Sequence, residues 1–296
     1  MAISLLLLTS IMNYNYQPLI LIGAARSGTK LVRDIISCHP SIDRVPYDIN
    51  YIWKFGNEDL NHDELQIERL NDKIRSRIIQ SINRSSRGAP YLIEKTVSNC
   101  LRVPYVAAVF PNAKFLHLVR NGFDAVESVS RQWNAPPNWK YILQKTFTFP
   151  LFDAFSYGAS YGSTVIKKLI PSHGKSTLTW GVRYDGIDED VRVKSLLEVC
   201  AIQWSRSVSG ALNGLDNVPS QQQLTIQYED FVLDPHSILE EVAVFLACDS
   251  DPFSRRLNLS TIRKDEIGKG MRSLPSTQIQ SIFPFMEREL RLLGYI

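Results

Sequence analysis

Residues 18–31, Pro-Leu-Ile-Leu-Ile-Gly-Ala-Ala-Arg-Ser-Gly-Thr-Lys-Leu, constrain this chain more than any other stretch. Leu19 to Ile22 read as a short buried strand that breaks at Gly23, and the chain re-forms as a helix from Gly28 onward. Such a bend is either a plain structural turn or a phosphate cradle. In a cradle the two glycines let backbone N–H groups and the positive end of the helix dipole converge on an anion. Arg26, Ser27, Thr29 and Lys30 add side-chain donors there, which favours the cradle. The spacing nearly matches the nucleotide P-loop G-x-x-x-x-G-K-[ST], with four residues between Gly23 and Gly28. The next two positions are transposed, however. Thr29-Lys30 stands where Lys-Ser/Thr is required, so no hydroxyl is placed for Mg²⁺ and the lysine is displaced from the phosphates.

Arg26-Ser27-Gly28-Thr29 resembles the 5′-phosphosulfate loop of sulfotransferases that use 3′-phosphoadenosine 5′-phosphosulfate (PAPS), a family whose first loop position is Lys or Arg. Further parts follow in the order that family has them. Asp48 lies 22 residues after Arg26. A carboxylate about that far past the loop acts as base in heparan-type and tyrosylprotein sulfotransferases, usually as Glu; a solvated loop aspartate is the other reading. Tyr91-Leu-Ile-Glu-Lys-Thr96 reads as a strand, and its Glu94-Lys95-Thr96 end resembles the lysine motif of glycan sulfotransferases. Val97 occupies the position of the catalytic histidine of the cytosolic small-molecule enzymes, which points the base toward a carboxylate such as Asp48.

The strand 113–119 ends at Arg120, Asn121-Gly122 turns the chain, and a helix is expected over 123–133. Arg120 and Ser128, eight residues apart, match the family's 3′-phosphate site, where a planar guanidinium grips two oxygens at once. A fourth strand, 223–228, leads into Tyr228-Glu229-Asp230, whose tyrosine the resemblance places near the adenine. The basic run 254–272 reads by default as a solvated face. Within it, Ile267-Gly-Lys-Gly-Met-Arg272 resembles the late loop that closes over the nucleotide, with Lys269 the preferred contact.

The strands near 19, 91, 114 and 223, separated by helical patterns, predict an α/β fold with a P-loop-like, mainly parallel sheet flanked by helices on both faces. The resemblance implies the sulfotransferase fold, as a single domain over 18–296 after an extension of residues 1–17. It also implies PAPS as co-substrate, with no metal, and in-line transfer to a hydroxyl or amine. Arg26 and Lys95 then neutralise the leaving group and Asp48 is the base. The carboxylate base leans the acceptor toward a saccharide or a tyrosyl peptide. Two competitors remain open at this stage: a Mg²⁺-dependent kinase or NTPase with a degenerate P-loop, and a catalytically inactive glycan- or peptide-binding relative.

Composition narrows the partners. A net charge of +3 on 296 residues argues against a general nucleic-acid binder. Cys38, Cys100, Cys200 and Cys248 are far apart and read as free thiols. The apolar run 3–8 is too short for a membrane span, which needs about 20 residues, and lacks a basic segment before it. The expectation is a cytoplasmic protein, its oligomeric state open. Longer helices are expected over 190–213 and 276–293, one or two amphipathic helices within 57–86, and an aromatic segment, 135–163, that packs over the core or lines the acceptor site.

Overall fold

The short runs that end at Ile22, Glu94, Val119 and Gln227 are rich in Leu, Ile, Val and Phe and lack helical spacing, and each becomes a strand. The computed structural model describes residues 14–134, 181–256, 260 and 262–296, without the side chains of 134 and 254–256. Its strands are β1 (Gln17–Ile22), β2 (Ile42–Arg44), β3 (Tyr91–Glu94), β4 (Lys114–Val119) and β5 (Gln223–Gln227). They form one five-stranded sheet in the order β2-β3-β1-β4-β5, with every neighbouring pair parallel. The apolar run 3–8 and the aromatic segment 135–163 lie outside the described residues.

The principal helices are α1 (Thr29–Ile36), α2 (Asp72–Asn83), α3 (Val103–Val109), α4 (Gly122–Asn134), α5 (Leu196–Leu215) and α6 (Pro235–Leu246). Strand alternation sorts the core into two layers. Ile20, Ile22, Leu92 and Phe115 face one layer, with Ile78 and Ile82 of α2, Val106 of α3 and Leu215 of α5. Leu19, Leu21, Ile93, Leu116, Leu118 and Ile226 face the other, with Val32 and Ile36 of α1 and Leu239 and Leu246 of α6. The sheet is therefore covered on both faces, as the sequence predicts.

By its internal contacts the chain divides into one unit of residues 1–130 with 181–296 and another of residues 131–180, of which the end of α4 is described. No helix among the described residues is long and apolar enough to cross a membrane. All four cysteines are free, and burial pushes the Cys100 and Cys200 thiols up to about 12.

Two local expectations need correction, and one element is new. The helix expected over 190–213 is two, Ile187–Val193 and α5, because Ser195 accepts from the backbone N–H of Glu198 while the Glu198 carboxylate accepts from that of Ser195. That reciprocal cap starts a new helix. The helix expected over 276–293 breaks at Pro284 into Ser276–Ile282, a tight turn and Glu287–Leu292. The edge strand β2 was not anticipated: only three residues long and carrying Asp43 and Arg44, it has no apolar run to announce it.

Candidate active site

Parallel strands bring all their C-terminal ends to one edge, and β1 lies between β3 and β4, where the direction of chain winding reverses. Ile20 is level with Glu94 and Ile22 with His117. The bend after β1 is thus flanked by Lys95 at the end of β3 and by Arg120 at the end of β4.

That bend is built for close backbone approach. A methyl on Gly23 would lie 2.5 Å from the carbonyl oxygen of Leu118, so only glycine lets β1 and β4 meet there. Arg26 at φ 66° and Gly28 at φ 91° both turn left-handed, the first a strained conformation for a residue with a side chain. α1 starts at Thr29 with no side-chain cap, leaving its first N–H groups directed at the bend. Ser27 Oγ is buried there with no hydrogen-bond partner. An orphaned hydroxyl, uncapped amides and a left-handed arginine together fit an anion.

Two of the sequence's site groups meet directly. Arg26 Nε donates to Ser128 Oγ at 3.0 Å, and Arg120 Nη1 donates to the Arg26 carbonyl at 2.8 Å. The Arg120 guanidinium also stacks 4.5 Å over the Tyr228 ring, donates through Nη2 to the Glu266 carbonyl at 3.1 Å, and keeps a buried Nε–H without a partner. Tyr228 in turn packs on the bend: a methyl on Gly28 would lie 2.5 Å from two of its ring carbons. Burial raises the Tyr228 phenol, so it stays neutral.

On the other side of β1, Lys95 Nζ stands 3.6 Å from Asp48 Oδ2. That oxygen also accepts from the Val97 N–H at 3.1 Å, while Oδ1 accepts from the Asn50 N–H at 3.3 Å. Lys95 is nearly buried and Asp48 about one-third exposed, its side chain at 32 %.

The segment after 263 docks beside Arg120. Gly268 and Gly270 donate their N–H groups to the Asp124 carboxylate, both at 2.7 Å. Lys269 pairs with Glu266 at 2.8 Å. A methyl on Gly270 would lie 2.2 Å from the Phe123 carbonyl.

Lys30 is placed differently from the other loop residues. Its ammonium pairs with Asp34 at 2.9 Å on the exposed surface of α1 and turns away from the bend, because position 30 falls on the outer side of the first helical turn. Thr29, the first residue of α1, and Ser128, on α4, are both buried. Sequence reasoning did not single out Asp124, whose place in the first turn of α4 is its only signal. Glu229, which the sequence offers only as part of the Tyr-Glu-Asp element with no role of its own, accepts from the Asn121 N–H at 3.0 Å and the Tyr295 hydroxyl at 2.8 Å.

Comparison with known proteins bears on the family and the fold. Residues 18–148 match the Sulfotransferase family. Protein-tyrosine sulfotransferase 1 of Mus musculus is 35% identical over 124 residues, 38% of this chain and 34% of the relative. The chain thus matches about a third of that relative's length. The sulfotransferase domain from the curacin biosynthetic pathway superposes with a TM-score of 0.53 at 17% identity, over 92% of this chain and 98% of the domain. A mouse sulfotransferase complexed with PAP superposes with a TM-score of 0.50 at 15% identity, over 96% of this chain and 89% of that one. These likenesses establish the fold.

Proposed function

From a chain whose residues 18–148 are of the sulfotransferase family and whose described residues carry the sulfotransferase fold, we propose an enzyme that moves a sulfuryl group from PAPS to a hydroxyl or amine acceptor. One observation carries the reading. The bend after β1 and the turn after β4 are bonded to each other through Arg26, Ser128 and Arg120, with the Asp48–Lys95 pair at the adjacent strand end. Two anion-gripping turns side by side suit a nucleotide with phosphate at both ends of its ribose.

In this reading Ser27, Gly28, Thr29 and the first amides of α1 hold the 5′-phosphosulfate, and Arg120 with Ser128 holds the 3′-phosphate. Tyr228 lies against the adenine, and Lys269 closes from the late segment. Lys30, on the outer face, contributes only to the helix. The bound donor supplies a sulfuryl group on a phosphate leaving group. Asp48 accepts the acceptor's proton as its oxygen or nitrogen bonds to sulfur. Arg26 and Lys95 neutralise the bridging oxygen as its bond to sulfur breaks and adenosine 3′,5′-bisphosphate departs. The likeness to protein-tyrosine sulfotransferases favours a tyrosyl peptide over a saccharide as acceptor. A kinase or NTPase reading is disfavoured by Lys30, since the residue that would serve as its phosphate lysine pairs with Asp34.

The test is transfer of labelled sulfate from PAPS to a panel of tyrosyl peptides and saccharides. Asp48→Asn and Lys95→Ala should each lower kcat by about 10²- to 10⁴-fold. Near-normal transfer by both variants contradicts the assignment.

A further inference from the structure

Behind Lys95 lies a polar assembly that the transfer chemistry leaves unused. Glu94, 1% exposed, ends β3 with both carboxylate oxygens accepting. Oε1 accepts from the Thr96 hydroxyl, and Oε2 accepts from Asn99 Nδ2 at 2.8 Å. The sense of the second bond is fixed from further back, because Asn99 Oδ1 accepts from Arg102 Nε at 2.9 Å and a guanidinium has donors only. Asn99 must therefore turn its amino group toward Glu94. Arg102 is itself held by Asn50 Oδ1 at 2.6 Å.

Thr96 has one hydroxyl proton, and it goes to Glu94. Its lone pairs are left facing the Ile49 N–H, which donates to Thr96 Oγ1 at 3.1 Å. One residue on from Thr96 and one back from Ile49, the Val97 N–H donates to Asp48 Oδ2 at 3.1 Å. Residues 48–49 and 96–97 are thus laced by two bonds of opposite sense, one ending on the carboxylate assigned as base and the other on a hydroxyl directed by Glu94.

We infer that Glu94 is a positioning residue for sulfuryl transfer: as a carboxylate it orients the Thr96 hydroxyl, and through it the backbone that carries Asp48 into its pairing with Lys95. This rests on the reading of Asp48 as base. The charged groups that face Glu94 are Asp48, Lys95 and Arg102. Burial pushes the Glu94 carboxyl up to about 7, with Asp48 acting in the same direction and Lys95 against it. A proton on Glu94 finds both neighbours already donating. Asn99 is locked by Arg102, so the proton must be donated to Thr96 Oγ1, which then turns its own proton away from Glu94 and alters the bond it accepts from the Ile49 N–H. Glu94→Gln imposes the same conflict permanently.

The test follows the ¹⁵N amide resonances of Ile49 and Val97 in the full chain against pH, alongside transfer from labelled PAPS to a tyrosyl peptide. In the unmodified protein both amides should shift with one inflection near pH 7. Glu94→Gln and Thr96→Val should abolish that inflection, while Thr96→Ser retains it. Glu94→Gln should lower kcat by on the order of tenfold or more, with adenosine 3′,5′-bisphosphate affinity within about twofold. An inflection that persists in Glu94→Gln, or none in the unmodified protein, overturns the inference; Thr96→Val against Thr96→Ser decides it if Glu94→Gln does not fold. Full activity of Asp48→Asn would instead remove the base assignment. An inactive Asp48→Asn beside a Glu94→Gln with unchanged kcat and amide titration would sink this inference alone.

Discussion

Replacing Arg120 by lysine keeps the charge and removes the planar fork that joins the two turns. The fork makes two charge-assisted bonds, 2.8 Å to the Arg26 carbonyl and 3.1 Å to the Glu266 carbonyl, and stacks 4.5 Å over Tyr228. Bonds of that kind are worth about 1.5–3 kcal/mol each, and a desolvated cation–π contact about 2 kcal/mol. A lysine ammonium can keep one carbonyl and part of the ring contact, so the loss is about 2–4 kcal/mol. Both carbonyls lie on segments that receive the nucleotide, and the buried Nε–H that an incoming phosphate would take disappears as well. Affinity should therefore fall by at least about tenfold, which is 1.4 kcal/mol, with the remainder lost from folding stability. Calorimetric titration with adenosine 3′,5′-bisphosphate in EDTA, paired with urea unfolding, measures both parts. A variant that binds within about twofold of the unmodified protein and unfolds at the same urea concentration would refute the fork as the joint between the turns.

Gly28→Ala puts a methyl 2.5 Å from the Tyr228 ring on a residue at φ 91°, and should cost about 2–4 kcal/mol with a matching drop in melting temperature. An unchanged melting temperature would mean that Tyr228 does not cover the bend. Gly270→Ala drives a methyl to 2.2 Å from the Phe123 carbonyl and should sever the Asp124 bonds, exposing residues 263–272 to limited proteolysis and weakening nucleotide binding by about tenfold. Unchanged cleavage there would contradict it. His117, buried in β4 with Nδ1 unpartnered, is lowered by burial from its ordinary 6.5 to about 4, so the unfolded chain takes up its proton first and stability is lost as pH falls through that window, by roughly 3 kcal/mol. Glu94, raised from 4.5 to about 7, has the opposite sign, with stability lost as pH rises through its window, so the two slopes oppose between about 4.5 and 6.5. His117→Leu should unmask the Glu94 slope in urea unfolding, with stability falling from about pH 5 to about pH 7; a flat profile would contradict this.

The parts of this site that sit next to a strand end were legible in the sequence. Gly23 and Gly28 bracket their bend, Arg120 follows the run Phe-Leu-His-Leu-Val, and Lys95 follows Tyr-Leu-Ile-Glu, so each could be placed by local pattern. Asp48 was reachable only through its interval from Arg26, since nothing in its neighbours marks it. What local pattern could not supply is the polar lattice behind it. Asp63 accepts from Asn50 and Ser98, and Arg102 reaches Asn50, over separations that no short window spans. Asp124 was hidden for the same reason, as its partners Gly268 and Gly270 lie at the far end of the chain. Helix ends were misread where a side chain overrode the apolar spacing, at the Ser195 cap and at Pro284.

One titration bears most directly on the claim that both turns hold a single nucleotide. With EDTA present, adenosine 3′,5′-bisphosphate should bind at one site per chain, and adenosine 5′-phosphate, which lacks the group assigned to Arg120 and Ser128, should bind at least about tenfold more weakly. Equal affinity for the two ligands, or binding only of ATP and only with Mg²⁺, would contradict it.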